Sequence, residues 1–229
     1  MYEITNYLYL DIETIPGSDG IDLSKIKTVN DLLSEAPKSY TKAKQEEWAQ
    51  DKFYKQTDEL NAELRKEALD SLKGRIFCIS AAFNDEEPVV FEYSADESKI
   101  LIEFEKWLDE HIKHLIHVTA FVGRNIQKFD LRFIWHRALK YNLSKLKSKL
   151  PVGKFDKRIV DVGDLFDIYS YGIYTKLDDM AKFLGLEGKQ GMDGSQVYDF
   201  FLESKYDEIH EYCKGDVEIT RKIHKMLMQ

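Results

Sequence analysis

Apolar and polar positions alternate at the start of the chain. Leu8, Leu10 and Ile12 fall on one face of an extended segment, and Tyr7, Tyr9, Asp11 and Glu13 on the other, which predicts a strand over residues 4–13. Ile15-Pro16-Gly17 stops it. Residues 18–40 show no period and read as irregular. Residues 41–73 are rich in Lys, Glu, Gln and Ala with sparse apolar positions, the pattern of surface helices inserted after the first strand. The continuous apolar run Arg75–Phe83 predicts a central strand, with residues 88–93 as its hairpin partner across Asn84-Asp85. Apolar positions at 100, 101, 104, 107, 108, 112 and 115 give a helix over 99–115. Strands are predicted at 117–122 and 159–162. Helices are predicted at 127–141 and at about 164–171, 177–184, 195–203 and 205–228. The order is that of an α/β chain with a mixed β-sheet flanked by helices. One domain over residues 1–229, with a helical insertion at about 41–73, is expected.

Composition narrows the class. The chain has 229 residues, 43% of them hydrophobic, within the globular range. No apolar run reaches the ~18 residues of a membrane span, and the N-terminus lacks a signal-peptide pattern. Two cysteines, Cys78 and Cys213, make no disulfide framework, so a reducing, cytoplasmic location is expected. The net charge of -8 argues against a uniformly basic nucleic-acid binder. It hides an asymmetry: residues 124–158 hold eleven Lys/Arg against Asp130 and Asp156. A basic patch on an acidic protein suits an enzyme that grips an anion at one place, although a solvated surface has the same composition.

Three segments carry candidate chemistry. Asp11 and Glu13 lie on one face at the end of a strand, where their oxygens can hold a hard cation. Asp130 follows Asn125-x-x-x-Phe129 and opens a helix; an ordinary first-turn acid has the same place. Tyr-x-x-x-Asp occurs four times, and only Tyr212-x-x-x-Asp216 stands out. There Ile209, Cys213, Asp216, Thr220, Ile223 and Leu227 form an apolar stripe, so Asp216 is predicted to be buried. A buried carboxylate is costly unless paired or metal-bound. Gly215 leaves room for a strand or a substrate. The six histidines lack metal-ligand spacing, and no serine-hydrolase or Walker-type loop is present.

Taken in order, Asp11-Ile12-Glu13-Thr14, Asn125-x-x-x-Phe129-Asp130 and Tyr212-x-x-x-Asp216 resemble the three motifs of DEDD 3′–5′ exonucleases, which have a ribonuclease H-like fold. The tyrosine makes the resemblance one to the DEDDy branch. The chain is most similar to the proofreading exonuclease domain of family B DNA polymerases, in particular its stand-alone predicted relatives. Gly188-Lys189, Asp193-Gly194-Ser195-Gln196-Val197, the Tyr212–Val217 stretch and an insertion ending in Ala68–Ile76 look like that subgroup. Arg124 departs from it, standing where many relatives carry a smaller or an aromatic residue.

The resemblance implies hydrolysis at a free 3′ end, single-stranded DNA first, with two divalent ions, Mg²⁺ or Mn²⁺, as cofactors. By the same resemblance Asp11, Glu13 and Asp216 would hold the first ion, and Asp11 would bridge to the second, with Asp130 acting directly or through water. Tyr212 orients the attacking water. Ile12, Thr14, Asn125 and Phe129 contact the terminal nucleotide. The sequence ends soon after the third motif, so proofreading in cis is not expected, and a polymerase or repair partner is left open. Nucleic acid is the expected partner, with no membrane. Three other readings share these residues: a non-catalytic nucleic-acid-binding or polymerase-accessory module, a 3′–5′ exoribonuclease, and a structural domain stabilised by metal. For the insertion, a lid or partner surface competes with plain decoration.

Overall fold

β1 (Ile4–Ile15) is the middle strand of the sheet, and its sequence explains why. From Tyr7 to Leu10 both of its faces are apolar, so that stretch must be covered from both sides. The computed structural model describes residues 4–112, 118–153, 155–170, 172–188 and 191–229. The other strands are β2 (Arg75–Phe83), β3 (Val89–Phe91), β4 (Val118–Gly123) and β5 (Ile159–Asp161). They form one five-stranded sheet in the order β3-β2-β1-β4-β5. β1 pairs antiparallel with β2 and parallel with β4; β5 extends the parallel side and β3 the antiparallel side. The mixed sheet expected from the sequence is present.

The helices are α1 (Val29–Glu35), α2 (Lys42–Glu67), α3 (Glu97–His111), α4 (Asp130–Lys140), α5 (Ser144–Lys149), α6 (Val162–Phe166), α7 (Leu177–Phe183), α8 (Val197–Leu202) and α9 (Tyr206–Leu227). On one face of the sheet, Leu8, Leu10 and Ile12 pack with Leu101 and Phe104 of α3 and Phe133 and Ile134 of α4. On the other, Tyr9 packs with Met180 of α7 and Val217 and Ile223 of α9. Each such buried side chain contributes roughly 1.5–3 kcal/mol. α3 and α4 are also joined by a buried ion pair. Arg137 Nε lies 2.9 Å from both Glu97 oxygens, and the Tyr141 hydroxyl and the Ile76 amide donate to the same carboxylate.

Several boundaries differ from the sequence reading. The irregular segment 18–40 contains α1, nucleated by a capping box between Thr28 and Asp31. The insertion is one 26-residue helix, of which only Ala49 and Leu64 are buried. α5 was not expected, because its single buried residue, Leu146, gives no period. The predicted helix 164–171 ends at Phe166, and Ile168 and Tyr169 then take left-handed backbone angles. The predicted helix 127–141 starts at Asp130, after a turn set by Asn125 at φ +58°. His117 of the predicted strand and Lys189 of the subgroup-like stretch lie outside the described residues.

Two glycines seat the insertion. A Cβ on Gly17 would come within 1.9 Å of the Lys73 carbonyl oxygen, and one on Gly74 within 2.5 Å of that of Glu67. The exit of β1 therefore lies against the stretch just before β2, and that stretch against the end of α2, backbone to backbone.

Candidate active site

The site forms where β1 outruns its parallel neighbour. The last β1–β4 partners are Tyr9 and Val122, so Asp11, Ile12 and Glu13 lie beyond the ladder on that side. β4 ends at Gly123, where a Cβ would come within 2.9 Å of the Leu10 carbonyl oxygen. The chain then swings away through the Asn125 turn, in which the Lys128 and Phe129 amides donate to the Asn125 carbonyl. This brings Asp130 back over the open edge, and its Oδ1 accepts from the Ile12 amide at 3.1 Å. From the first turn of α4, Asp130 thus bridges strand and helix.

α9 closes the other side. Asp216 is 6% exposed, as its place in the apolar stripe predicted. Cys213, one turn earlier, is fully buried, and its thiol donates to the Asp11 carboxylate at 3.4 Å and the Asp11 carbonyl at 3.6 Å. The Asp11 and Glu13 oxygens and the Cys213 sulfur all lie within 4.8 Å of one another. Burial, Cys78 and the nearby Asp11 and Glu13 push the Cys213 thiol well up, so it stays neutral and acts as a donor.

Electrostatics records the same convergence. Burial, and then the charges of Asp161 and Asp216, push Asp130 up to about 8, against the lowering effect of the backbone N–H groups it accepts from. Burial pushes the Tyr212 phenol far up, helped by Asp216, Glu13 and Asp11. Its hydroxyl oxygen lies 3.5 Å from where a Cβ on Gly194 would stand. Four carboxylates and a tyrosine chosen from the sequence therefore meet at one place.

A cleft of about 440 Å³ opens beside them, lined by Asp11, Glu13 and Asp130 together with Ile12, Thr14, Asn125 and Phe129. All four residues expected to contact the terminal nucleotide face this cleft. Thr14 is also tied to the insertion, its Oγ1 donating to the Ala68 carbonyl at 2.6 Å. The far wall consists of Arg65, Lys66 and Leu69 after and within the last turn of α2, facing Gly194, Ser195 and Tyr198. An Arg65–Asp199 ion pair joins the two walls, with Arg65 also over the Tyr198 ring. The insertion is thus part of the site. Tyr212, Gly215 and Asp216 line a second hollow of about 610 Å³. No protein atom among the described residues approaches the Gly215 Cβ position, so this glycine opens onto that hollow and not onto a strand.

Two contributors escaped the sequence reading. Asp161 ends β5 beside Gly123, caps α6 through the Gly163 amide at 2.9 Å, and adds its charge to the field at Asp130. The signal was there, an acid closing a short apolar strand, as at Asp11. In the sequence Cys213 shows only as a member of the apolar stripe. Arg124, the departure from the family pattern, donates from Nε to the Thr175 carbonyl at 2.8 Å and also lines the cleft.

A family profile described as a predicted 3′–5′ exonuclease related to the exonuclease domain of PolB matches residues 75–224. This chain belongs to that family. The matched stretch holds Asp130, Tyr212 and Asp216, whereas Asp11 and Glu13 precede it. None of the curated proteins compared with it matches. Among solved structures, the family B DNA polymerase from the hyperthermophilic archaeon Pyrobaculum calidifontis is similar, with a TM-score of 0.58 and 16% sequence identity. The match covers 97% of this chain and 24% of the polymerase, so the chain spans about a quarter of that protein's length. The fold of this exonuclease-family member is ribonuclease H-like, as the motifs implied. No helix among the described residues is long and apolar enough to cross a membrane.

Proposed function

We propose that the chain is a 3′–5′ exonuclease of the DEDDy type that hydrolyses single-stranded DNA from its 3′ end. One observation carries this reading: Asp11, Glu13, Asp130, Asp216 and Tyr212 meet at the open end of β1, beside a cleft of about 440 Å³. In this reading residues 1–229 act as one exonuclease domain, with α2 as its insertion.

The donor set fits hard divalent ions. Asp11 and Glu13 offer carboxylate oxygens, and the neighbouring sulfur is a neutral thiol, which suits Mg²⁺ or Mn²⁺ better than a thiolate-seeking metal. Asp11, Glu13 and Asp216 would hold one ion, and Asp11 with Asp130 a second. Bound there, the ions would supply an activated water and charge stabilisation for the leaving oxygen. The protein residues do the rest. Cys213 fixes the Asp11 carboxylate, and the Ile12 amide fixes that of Asp130. The Tyr212 hydroxyl, held protonated by burial and its acidic neighbours, orients the attacking water and does not serve as a base. The cleft residues Ile12, Thr14, Asn125 and Phe129 seat the terminal nucleotide. The water oxygen bonds to the terminal phosphorus, the 3′ oxygen of the penultimate nucleotide leaves with a proton, and a nucleoside 5′-monophosphate is released.

The test is product identity. Single-stranded DNA incubated with the protein and Mg²⁺ or Mn²⁺ is expected to release 5′-mononucleotides, and Asp11→Ala is expected to release none. Tight binding of the strand without hydrolysis under every metal would replace this reading with the non-catalytic module.

A further inference from the structure

We propose that Ile168, Tyr169, Ile173 and Tyr174, on the stretches 167–170 and 172–175, are a stacking platform on which the unpaired bases upstream of the 3′ terminus rest. The proposal deepens the exonuclease reading and rests on it for the choice of occupant, a single-stranded polynucleotide. The first stretch follows α6, which ends in a turn whose Tyr169 amide donates to the Asp164 carbonyl at 2.7 Å. Such turns favour glycine, yet Ile168 and Tyr169 occupy the left-handed region at φ +52° and +54°. The backbone so held puts both side chains outside, with Ile168 82% and Tyr169 73% exposed. Ile173 and Tyr174 are exposed on the second stretch, at 54% and 61%. Left-handed backbone at bulky residues recurs where function requires it, and large apolar side chains held out in solvent on neighbouring stretches offer a contact surface.

The two stretches are braced at their base and joined to the cleft. Both Asp167 oxygens accept from Thr175, one from its amide at 3.1 Å and one from its hydroxyl at 2.5 Å. The Thr175 carbonyl accepts from Arg124, which lines the catalytic cleft. Lys128 lies 5.1 Å over the Tyr174 ring and belongs to the same turn as the cleft residues Asn125 and Phe129. Rings, a cation over one of them and a neighbouring basic window are the components of a single-strand platform, in which bases stack and lysines follow the phosphates. A protein partner would use the apolar side chains but gives no reason for their continuity with the acidic cleft.

The test uses binding without turnover. Affinities for a fluorescein-labelled 20-residue oligothymidylate and for an abasic 20-mer of the same sugar-phosphate chain are measured by anisotropy in EDTA. The native protein is expected to bind the oligothymidylate at least about 10-fold more tightly than the abasic chain. Y169A/Y174A is expected to lose that difference and leave abasic binding as it was, while Tyr174→Trp retains it. Lys128→Ala is expected to weaken both ligands and lower the salt slope by about 1. Tyr54→Ala, an exposed aromatic on α2, checks that any change is local. Equal binding of the two chains by the native protein, or an unchanged difference in Y169A/Y174A, overturns the platform. Because no hydrolysis enters the measurement, failure here is separate from failure of the exonuclease reading, which metal-dependent mononucleotide release decides.

Discussion

At the scale of single residues, the site is held by neighbours of modest chemistry. The Cys213 thiol is a neutral donor to Asp11, and the Ile12 amide is a donor to Asp130. Groups that orient metal ligands typically matter by about 10–100-fold in metal affinity or activity. Cys213→Ala is therefore expected to lower turnover or apparent Mg²⁺ affinity by about that factor while far-UV circular dichroism stays native; an unchanged metal titration would remove Cys213 from the account. Tyr212→Phe keeps the ring and removes the hydroxyl. It is expected to lower kcat by about 10²-fold, the scale of losing one positioned hydrogen-bonding group at the reacting centre, with little change in KM. A change in KM alone would assign Tyr212 to substrate binding.

At the scale of elements, the sequence was informative wherever one segment carried its own period. The strand ending in Asp11 and Glu13, the run Arg75–Phe83 and the stripe on α9 all announced themselves through burial. The placement of Asp216 in a core-facing stripe could be read for the same reason. What escaped depended on contacts distant in sequence. Nothing near Asp161 says that β5 lies beside Gly123, and nothing in α2 says that Arg65 meets Asp199, 134 residues away. The Glu97–Arg137 pair was hidden likewise: each looks like a surface charge on its own helix, yet each is 4% exposed. Glu97→Ala leaves the Arg137 guanidinium buried and unpaired, a loss of about 3–5 kcal/mol expected in urea unfolding. His224 is 2% exposed and contacts the Tyr9 hydroxyl, and burial lowers its pKa. A histidine with a lowered folded-state pKa contributes stability that is full above its unfolded pKa of ~6.5 and is lost as pH falls below it. The native protein is thus expected to lose more stability between pH 7.5 and 5.5 than His224→Phe, measured in EDTA.

At the scale of the whole molecule, the acids that define the site oppose the fold without a cation, since Asp130 is buried among Asp161 and Asp216. A cation that binds only the folded state stabilises it, by about 2.7 kcal/mol at a hundred times its Kd. Mg²⁺ or Mn²⁺ is expected to raise Tm in the native protein and not in Asp216→Ala, while the same salt strength of Na⁺ has no such effect. The insertion belongs to this scale as well, because α2 and α8 are joined across the cleft by Arg65 and Asp199. In the proposed reading these walls and acids form a 3′–5′ exonuclease. This reading is tested most directly by incubating the protein with 5′-labelled single-stranded DNA and matched RNA in Mg²⁺, Mn²⁺ and EDTA, beside Asp216→Ala. A ladder that shortens from the 3′ end is expected, faster on DNA, and absent in EDTA and in the variant. Full-length strands under every metal, or an equal ladder from Asp216→Ala, would contradict this reading.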